Sequence, residues 1–195
     1  MTRILILGAA GGLARHTTPF LLRQPGVQLT LYLRRASRLT SPDPARVRIT
    51  EGDVLDDAAL HAAMQGQDVV YANLSGSDMA AQARAIARAM QTAGVKRLIF
   101  ISSMGIYGEV PGEKYRSVLD PYRDSAAVIE ASGLDYTVLR PGWFTRTPGK
   151  QVQLTHKGDP FTGHEVSMDG LATLITQLAT TPGLHVRESL GVSNA

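Results

Sequence analysis

The apolar run Ile4-Leu5-Ile6-Leu7 passes without a linker into Gly8-Ala9-Ala10-Gly11-Gly12-Leu13-Ala14, and Leu13–Arg23 then carries the spaced apolar pattern of a helix packed on one face. A buried strand that turns this sharply into a helix leaves the chain little freedom. Gly8 permits the tight turn, Gly11 or Gly12 lets the backbone approach a ligand, and Ala14 allows close packing of helix on sheet. The open N–H groups of the helix's first turn then face outward, an arrangement that favours an anion such as a pyrophosphate. Gly8, Ala10, Gly11, Gly12 and Leu13 are therefore candidate dinucleotide-binding residues. The competing reading is a glycine turn without a ligand, and the rest of the chain has to decide.

Strand-length apolar runs recur at Arg3–Leu7, Val27–Leu33, Val47–Thr50, Asp68–Ala72, Lys96–Ile101 and Asp135–Leu139. Helical patterns at Leu13–Arg23, Ala58–Met64, Met79–Ala93, Pro121–Ala131 and Gly170–Leu178 alternate with them. Near-continuous Ile/Leu/Val strands between helices predict an α/β fold with a mainly parallel sheet covered on both faces. Right-handed crossovers give strand order 3-2-1-4-5-6, a Rossmann-type doubly wound sheet, to which Ser189–Val192 can add a short last strand. No linker, repeat or low-complexity segment divides residues 1–195, so one nucleotide-binding domain is expected. The stretches 104–119 and 141–164 carry glycine and proline without clear regularity. They are expected to form a small substrate-side region.

The absence of cysteine excludes disulfides, thiolate metal sites and thiol nucleophiles, so redox chemistry would need a bound cofactor. The net charge of +3 is carried mostly by scattered arginines, and aromatics make up only 6%, so nucleic acid is not an expected partner. No stretch has the ~18 apolar residues of a membrane span, and a cytoplasmic location is expected. His16, His61, His156, His164 and His185 are dispersed without ligand spacing, and no metal is assigned.

The second strand ends in Leu33-Arg34-Arg35, with Arg38 nearby and no acid at the position that would receive ribose hydroxyls. Arg34 and Arg35 offer forked donors suited to a 2′-phosphate, so NADP(H) is the expected cofactor; solvated surface arginines are the alternative. After the third strand, Asp53 could hold an adenine amino group with Val54 covering the ring, or it could cap the helix that starts near Asp56-Asp57. Asn73 ends the fourth strand at the same edge, as a ligand contact or a turn residue.

Together with Ser102-Ser103-Met104-Gly105-Ile106-Tyr107, Ser132-Gly133-Leu134-Asp135-Tyr136-Thr137 and Leu139-Arg140-Pro141-Gly142, these motifs resemble the atypical short-chain dehydrogenase/reductases, most closely the NmrA-like NAD(P)H-binding group. The resemblance implies a serine after the fifth strand, matched by Ser102 and Ser103, and a Tyr-x-x-x-Lys pair that is not matched. Alanine stands in the lysine position after Tyr122, and proline in that after Tyr107. Ser103, Tyr107 and Tyr122 are the candidate catalytic residues, and Ser102 and Pro141 are expected beside the cofactor. Packing beneath a loop is the competing role for Tyr107, and a ribose contact or surface position for Tyr122. A tyrosine without that lysine, near the ordinary value of about 10, is a poor base but an acceptable proton donor. Trp143 and Phe144 could wall the acceptor site, with ordinary packing as the competing role.

The resemblance thus implies an NADPH-dependent oxidoreductase delivering hydride to a small, flat electron acceptor such as a quinone, flavin or tetrapyrrole. The alternative is a non-catalytic NADP(H)-binding redox sensor that reports to a partner. An epimerase would need a good base and room for a sugar nucleotide, which the short region after Pro141 does not offer. Pairing of helices between subunits would make a homodimer unsurprising.

Overall fold

In β1 (Thr2–Leu7) the side chains alternate between two apolar faces, Ile4 and Ile6 on one and Leu5 and Leu7 on the other, and all four are fully buried. A strand with no wet face must be covered on both sides, and parallel strands joined by helices supply that cover. The computed structural model describes residues 1–147 and 151–195. In it β3 (Val47–Glu51), β2 (Val27–Leu33), β1, β4 (Val69–Ala72), β5 (Arg97–Ile101) and β6 (Asp135–Pro141) lie side by side and parallel, in the doubly wound order expected.

Beyond β6 the sheet continues. A strand at Glu188–Asn194 pairs parallel with β6, and another at Val152–His156 closes the edge antiparallel, giving eight strands. In chain order these become β10 and β8, because two short strands, β7 (Trp143–Thr145) and β9 (Glu165–Ser167), pair parallel as a separate ribbon. The last strand is thus longer than Ser189–Val192, and the stretch 141–164 is more regular than expected. The reason is physical: β8 is a half-buried edge strand whose apolar Val152 and Leu154 alternate with Gln153 and Thr155, and β7 exposes Trp143 and Phe144, so neither shows a buried apolar run. Residues 148–150 of that stretch lie outside the described residues. The stretch 104–119 is irregular apart from a 3-10 turn at Ser117–Leu119.

One face of the sheet is covered by α1 (Gly12–Leu22) and α5 (Met168–Thr180), whose Leu13, Leu21, Leu171 and Leu178 pack with Ile4 and Ile6. The other is covered by α2 (Asp57–Met64), α3 (Met79–Ala93) and α4 (Asp120–Glu130), whose Leu60, Ile86 and Ile129 pack with Leu5 and Leu7. Each such side chain contributes ~1.5–3 kcal/mol by leaving water. Among the described residues no helix is long and apolar enough to cross a membrane.

Because β1 to β6 are parallel, Gly8, Arg34, Gly52, Asn73, Ser102 and Gly142 all follow strand ends on one edge of the sheet. Strand order reverses between β1 and β4, where a sheet of this kind opens a crevice.

Candidate functional site

The crevice is shaped by glycines pressed against Asn73. Gly8 has φ +73°, and a Cβ there would sit 2.1 Å from the Asn73 carbonyl oxygen, so no other residue fits without moving backbone. Gly11 N–H donates to the Gly8 carbonyl at 2.9 Å, and a Cβ on Gly11 would come within 2.4 Å of Asn73 Nδ2. Asn73 is held in turn by its own N–H, which donates to Leu7 at 3.0 Å. Gly12 faces open space. Helix α1 begins at Gly12 behind the N-cap Gly11, with no side-chain cap and no acid in its first turn, so its leading N–H groups stay available to an anion.

On one side of this turn lies a cavity of about 490 Å³ walled by Ala10, Gly11, the three arginines Arg34, Arg35 and Arg38, and Asp53. All three arginines are exposed, and among the described residues none has a side-chain hydrogen bond or ion pair. The turn that carries them is fixed from the next strand: the Glu51 carboxylate accepts from Ala36 N–H at 2.7 Å. Tyr32, fully buried below, donates its hydroxyl to the Asp53 carbonyl at 2.9 Å. Burial, with Asp56 and Asp53 nearby, pushes that phenol up to about 12. Gly52 is needed there because a Cβ would lie 2.2 Å from the Tyr32 hydroxyl.

The two roles open to Asp53 separate at this point. Asp56, not Asp53, caps α2 by accepting from Ala59 N–H at 3.0 Å, while Asp53 accepts from Leu55 N–H at 2.9 Å and stays on the cavity wall beside buried Val54.

A second, larger groove of about 830 Å³ continues past the turn and shares Gly11 and Asn73 with the first. Leu13, Ser102, Tyr122 and Phe144 line it, and His16 bonds to Asp169 across its far side at 2.8 Å. A third cavity of about 390 Å³ lies under the 104–119 stretch, with Ser103, Tyr122, Pro141 and Trp143 in its wall. Tyr122 is the link, since it lines both spaces. Ser102 is buried and donates to the Tyr122 carbonyl at 3.3 Å, tying the start of α4 to the end of β5. Among the described residues the Tyr122 hydroxyl has no hydrogen-bond partner, while Ser103 donates to the Met104 carbonyl at 3.1 Å.

Tyr107 is not brought into this group. Its ring lies between the Arg140 guanidinium at 5.0 Å and the Lys157 ammonium at 4.5 Å, and its hydroxyl bonds to Glu130 and Ser189. Burial and the Glu130 hydrogen bond raise its pKa, so the proton stays on. It lines none of these three cavities. Its hydroxyl is therefore turned to Glu130 and Ser189 rather than to these cavities. Trp143 and Phe144, in contrast, are 55% and 49% exposed, so they are not simply packed away.

Several site residues carried no sequence signal. Tyr32 sits inside an apolar strand and looks like core, and His16 and Asp169 are 153 residues apart. Gly52 could have been noticed, as it directly precedes Asp53.

The sequence model of a family described as NAD(P)H-binding matches residues 8–182. Among characterised relatives, an isoflavone reductase homolog from Zea mays is 30% identical over 153 residues, covering 73% of this chain and 49% of that one. Quinone oxidoreductase 2 from Escherichia coli K12 is 27% identical over 146 residues, again 73% and 49%. The chain thus spans about half the length of these curated relatives. Among solved structures, a Rossmann-fold NAD(P)-binding family protein from Shigella flexneri superposes with a TM-score of 0.88 at 43% identity, covering 100% of this chain and 94% of that one. A short-chain dehydrogenase/reductase from Veillonella parvula in complex with NADP gives a TM-score of 0.88 at 27% identity, covering 99% and 94%.

Proposed function

The chain belongs to the NAD(P)H-binding family, and from that premise we propose that it is an NADPH-dependent oxidoreductase delivering hydride to a flat electron acceptor such as a quinone or flavin. The residues present fit such a cofactor: a turn whose Gly8 and Gly11 are pressed against Asn73 while Gly12 faces open space, an uncapped helix start, and three guanidinium groups in one cavity without partners among the described residues. Gly8, Ala10, Gly11, Gly12 and Leu13 would hold the pyrophosphate, and Arg34 and Arg35 the 2′-phosphate. Asp53 and Val54 would hold the adenine. Asn73, Ser102 and Pro141 would border the nicotinamide half. Residues 1–195 would work as one unit, with 104–119 and 141–164 forming its substrate side.

When bound, the reduced nicotinamide supplies two electrons and a proton together as hydride. Everything else falls to the side chains. Tyr122 lines both the central groove and the loop cavity, and its hydroxyl, without a hydrogen-bond partner among the described residues, would give a proton to an acceptor oxygen or nitrogen. Ser102 holds the chain at Tyr122, and Ser103 offers a hydroxyl on the acceptor side. The observation that carries the choice of acceptor is the pair Trp143 and Phe144. They are exposed neighbours on β7, one opening to each of the two spaces that Tyr122 joins, and they offer aromatic faces to a planar ring. A neutral tyrosine can donate one proton without a general base, which fits the missing lysine.

The test is NADPH oxidation followed at 340 nm with a panel of quinones and flavins. Turnover above the acceptor-free rate is expected. Tight NADPH binding without turnover across the panel would contradict the reductase and leave a nucleotide-binding sensor.

A further inference from the structure

The cavity under residues 104–119 is lined by two unlike kinds of side chain. Met104 and Val110 form a buried apolar floor, Leu119 adds to it, and Trp143 stands half-exposed at one wall. The same cavity is lined by Lys114 and Arg116, both exposed and, among the described residues, without an ion-pair or hydrogen-bond partner for either side chain. The neighbouring cation is treated differently: Arg123 is neutralised by Asp120 at 2.9 Å and Asp124 at 2.8 Å, and it stacks on Tyr115. Glu113 also lines the cavity, so the lining keeps one net positive charge.

We propose that this cavity takes an aromatic acceptor bearing a carboxylate, its ring on the apolar floor against Trp143 and its carboxylate held between Lys114 and Arg116. A cavity lined by an aromatic side chain and two cations is complementary to an amphipathic planar anion, and a neutral ring would leave those cations to water alone. The volume of about 390 Å³ falls within the range of small-ligand sites. That the bound anion is the electron acceptor rests on the reductase reading above; the anion preference itself does not.

Trp143 is the only tryptophan of the chain, so its fluorescence reports this cavity directly. The protein is titrated with 1,4-naphthoquinone-2-carboxylate and with neutral 2-methyl-1,4-naphthoquinone, and NADPH oxidation is followed in parallel. The carboxylate is expected to quench with about tenfold lower Kd, a margin that shrinks as salt is raised. Replacing both cations, Lys114→Ala with Arg116→Ala, should bring the two quinones to parity without changing NADPH affinity. Exchanging the cations, Lys114→Arg with Arg116→Lys, should keep the preference. Equal affinity in the unaltered protein, or a preference that survives the alanine pair, would overturn the proposal. A preference present without oxidation of NADPH by either quinone would support the anion site and contradict the reductase reading.

Discussion

Arg140 and Glu109 form an ion pair inside the protein, with the guanidinium fully buried and the carboxylate 6% exposed. The same carboxylate accepts from the N–H groups of Gly105 at 3.0 Å and Tyr107 at 2.9 Å, so one acid fixes the turn that begins the 104–119 loop. Arg140 also donates to Ser189 Oγ at 3.2 Å, joining that loop to β10. Removing one partner of a buried pair strands the other. Glu109→Ala is therefore expected to cost about 3–5 kcal/mol. At ~2–4 °C per kcal/mol for a chain of this size, thermal unfolding should fall by roughly 6–20 °C. A loss under about 1 kcal/mol would show that the pair is dispensable.

The two glycines at the ends of the turn should respond in opposite ways. Gly8→Ala forces a side chain into positive φ and against the Asn73 carbonyl, so loss of stability by several kcal/mol, or failure to fold, is expected on denaturant unfolding. Gly12→Ala meets nothing within 4 Å and replaces glycine at the first residue of a helix, so it should unfold at the same or slightly higher denaturant. If the open space beside Gly12 is where the pyrophosphate lies, the same variant binds NADPH at least about tenfold more weakly.

Tyr122 and Tyr107 give a second contrast. Tyr122→Phe removes a hydroxyl that has no hydrogen-bond partner among the described residues, on a residue lining two cavities, and should lower kcat by about 10²-fold while leaving NADPH affinity nearly unchanged. Tyr107→Phe breaks hydrogen bonds to Glu130 and Ser189, so it should lower stability and spare kcat. Steady-state kinetics beside thermal unfolding separates the two, and the reverse pattern would make Tyr107, not Tyr122, the proton donor.

What could be read in advance follows from which forces are local. Ile4–Leu7 and Leu98–Ile101 announce buried parallel strands because both faces are apolar, and the glycine turn announces the tight strand-to-helix passage because its backbone geometry admits few other residues. The β8 and β7 strands were hidden because their neighbours, β10 and β9, are distant in sequence and their own side chains are half wet. Tyr107 was ambiguous for the same reason. Its partners Glu130, Arg140, Lys157 and Ser189 come from separate elements, and only the fold brings them to one ring.

Alkaline pH tests the buried phenols. Tyr32 is pushed up to about 12 by burial and nearby acids, whereas an unfolded tyrosine ionises near 10. Its folded pKa lies above its unfolded one, so its contribution is whole below pH 10 and is lost as pH rises from about 10 towards 12. Stability by urea unfolding should decline across that window. Tyr32→Phe should be less stable at pH 7, because the Asp53 carbonyl loses its donor, yet decline less steeply above pH 10. An unchanged slope would show that Tyr32 does not carry the effect.

The most direct measurement is isothermal titration of the protein and of Arg34→Ala with NADPH, NADP, NADH and NAD. The arginine cavity predicts NADPH binding tighter than NADH, with about tenfold loss for NADPH and little change for NADH in the variant. Equal affinity for phosphorylated and unphosphorylated nucleotides, unaffected by the substitution, would contradict the assignment of this edge to NADP(H).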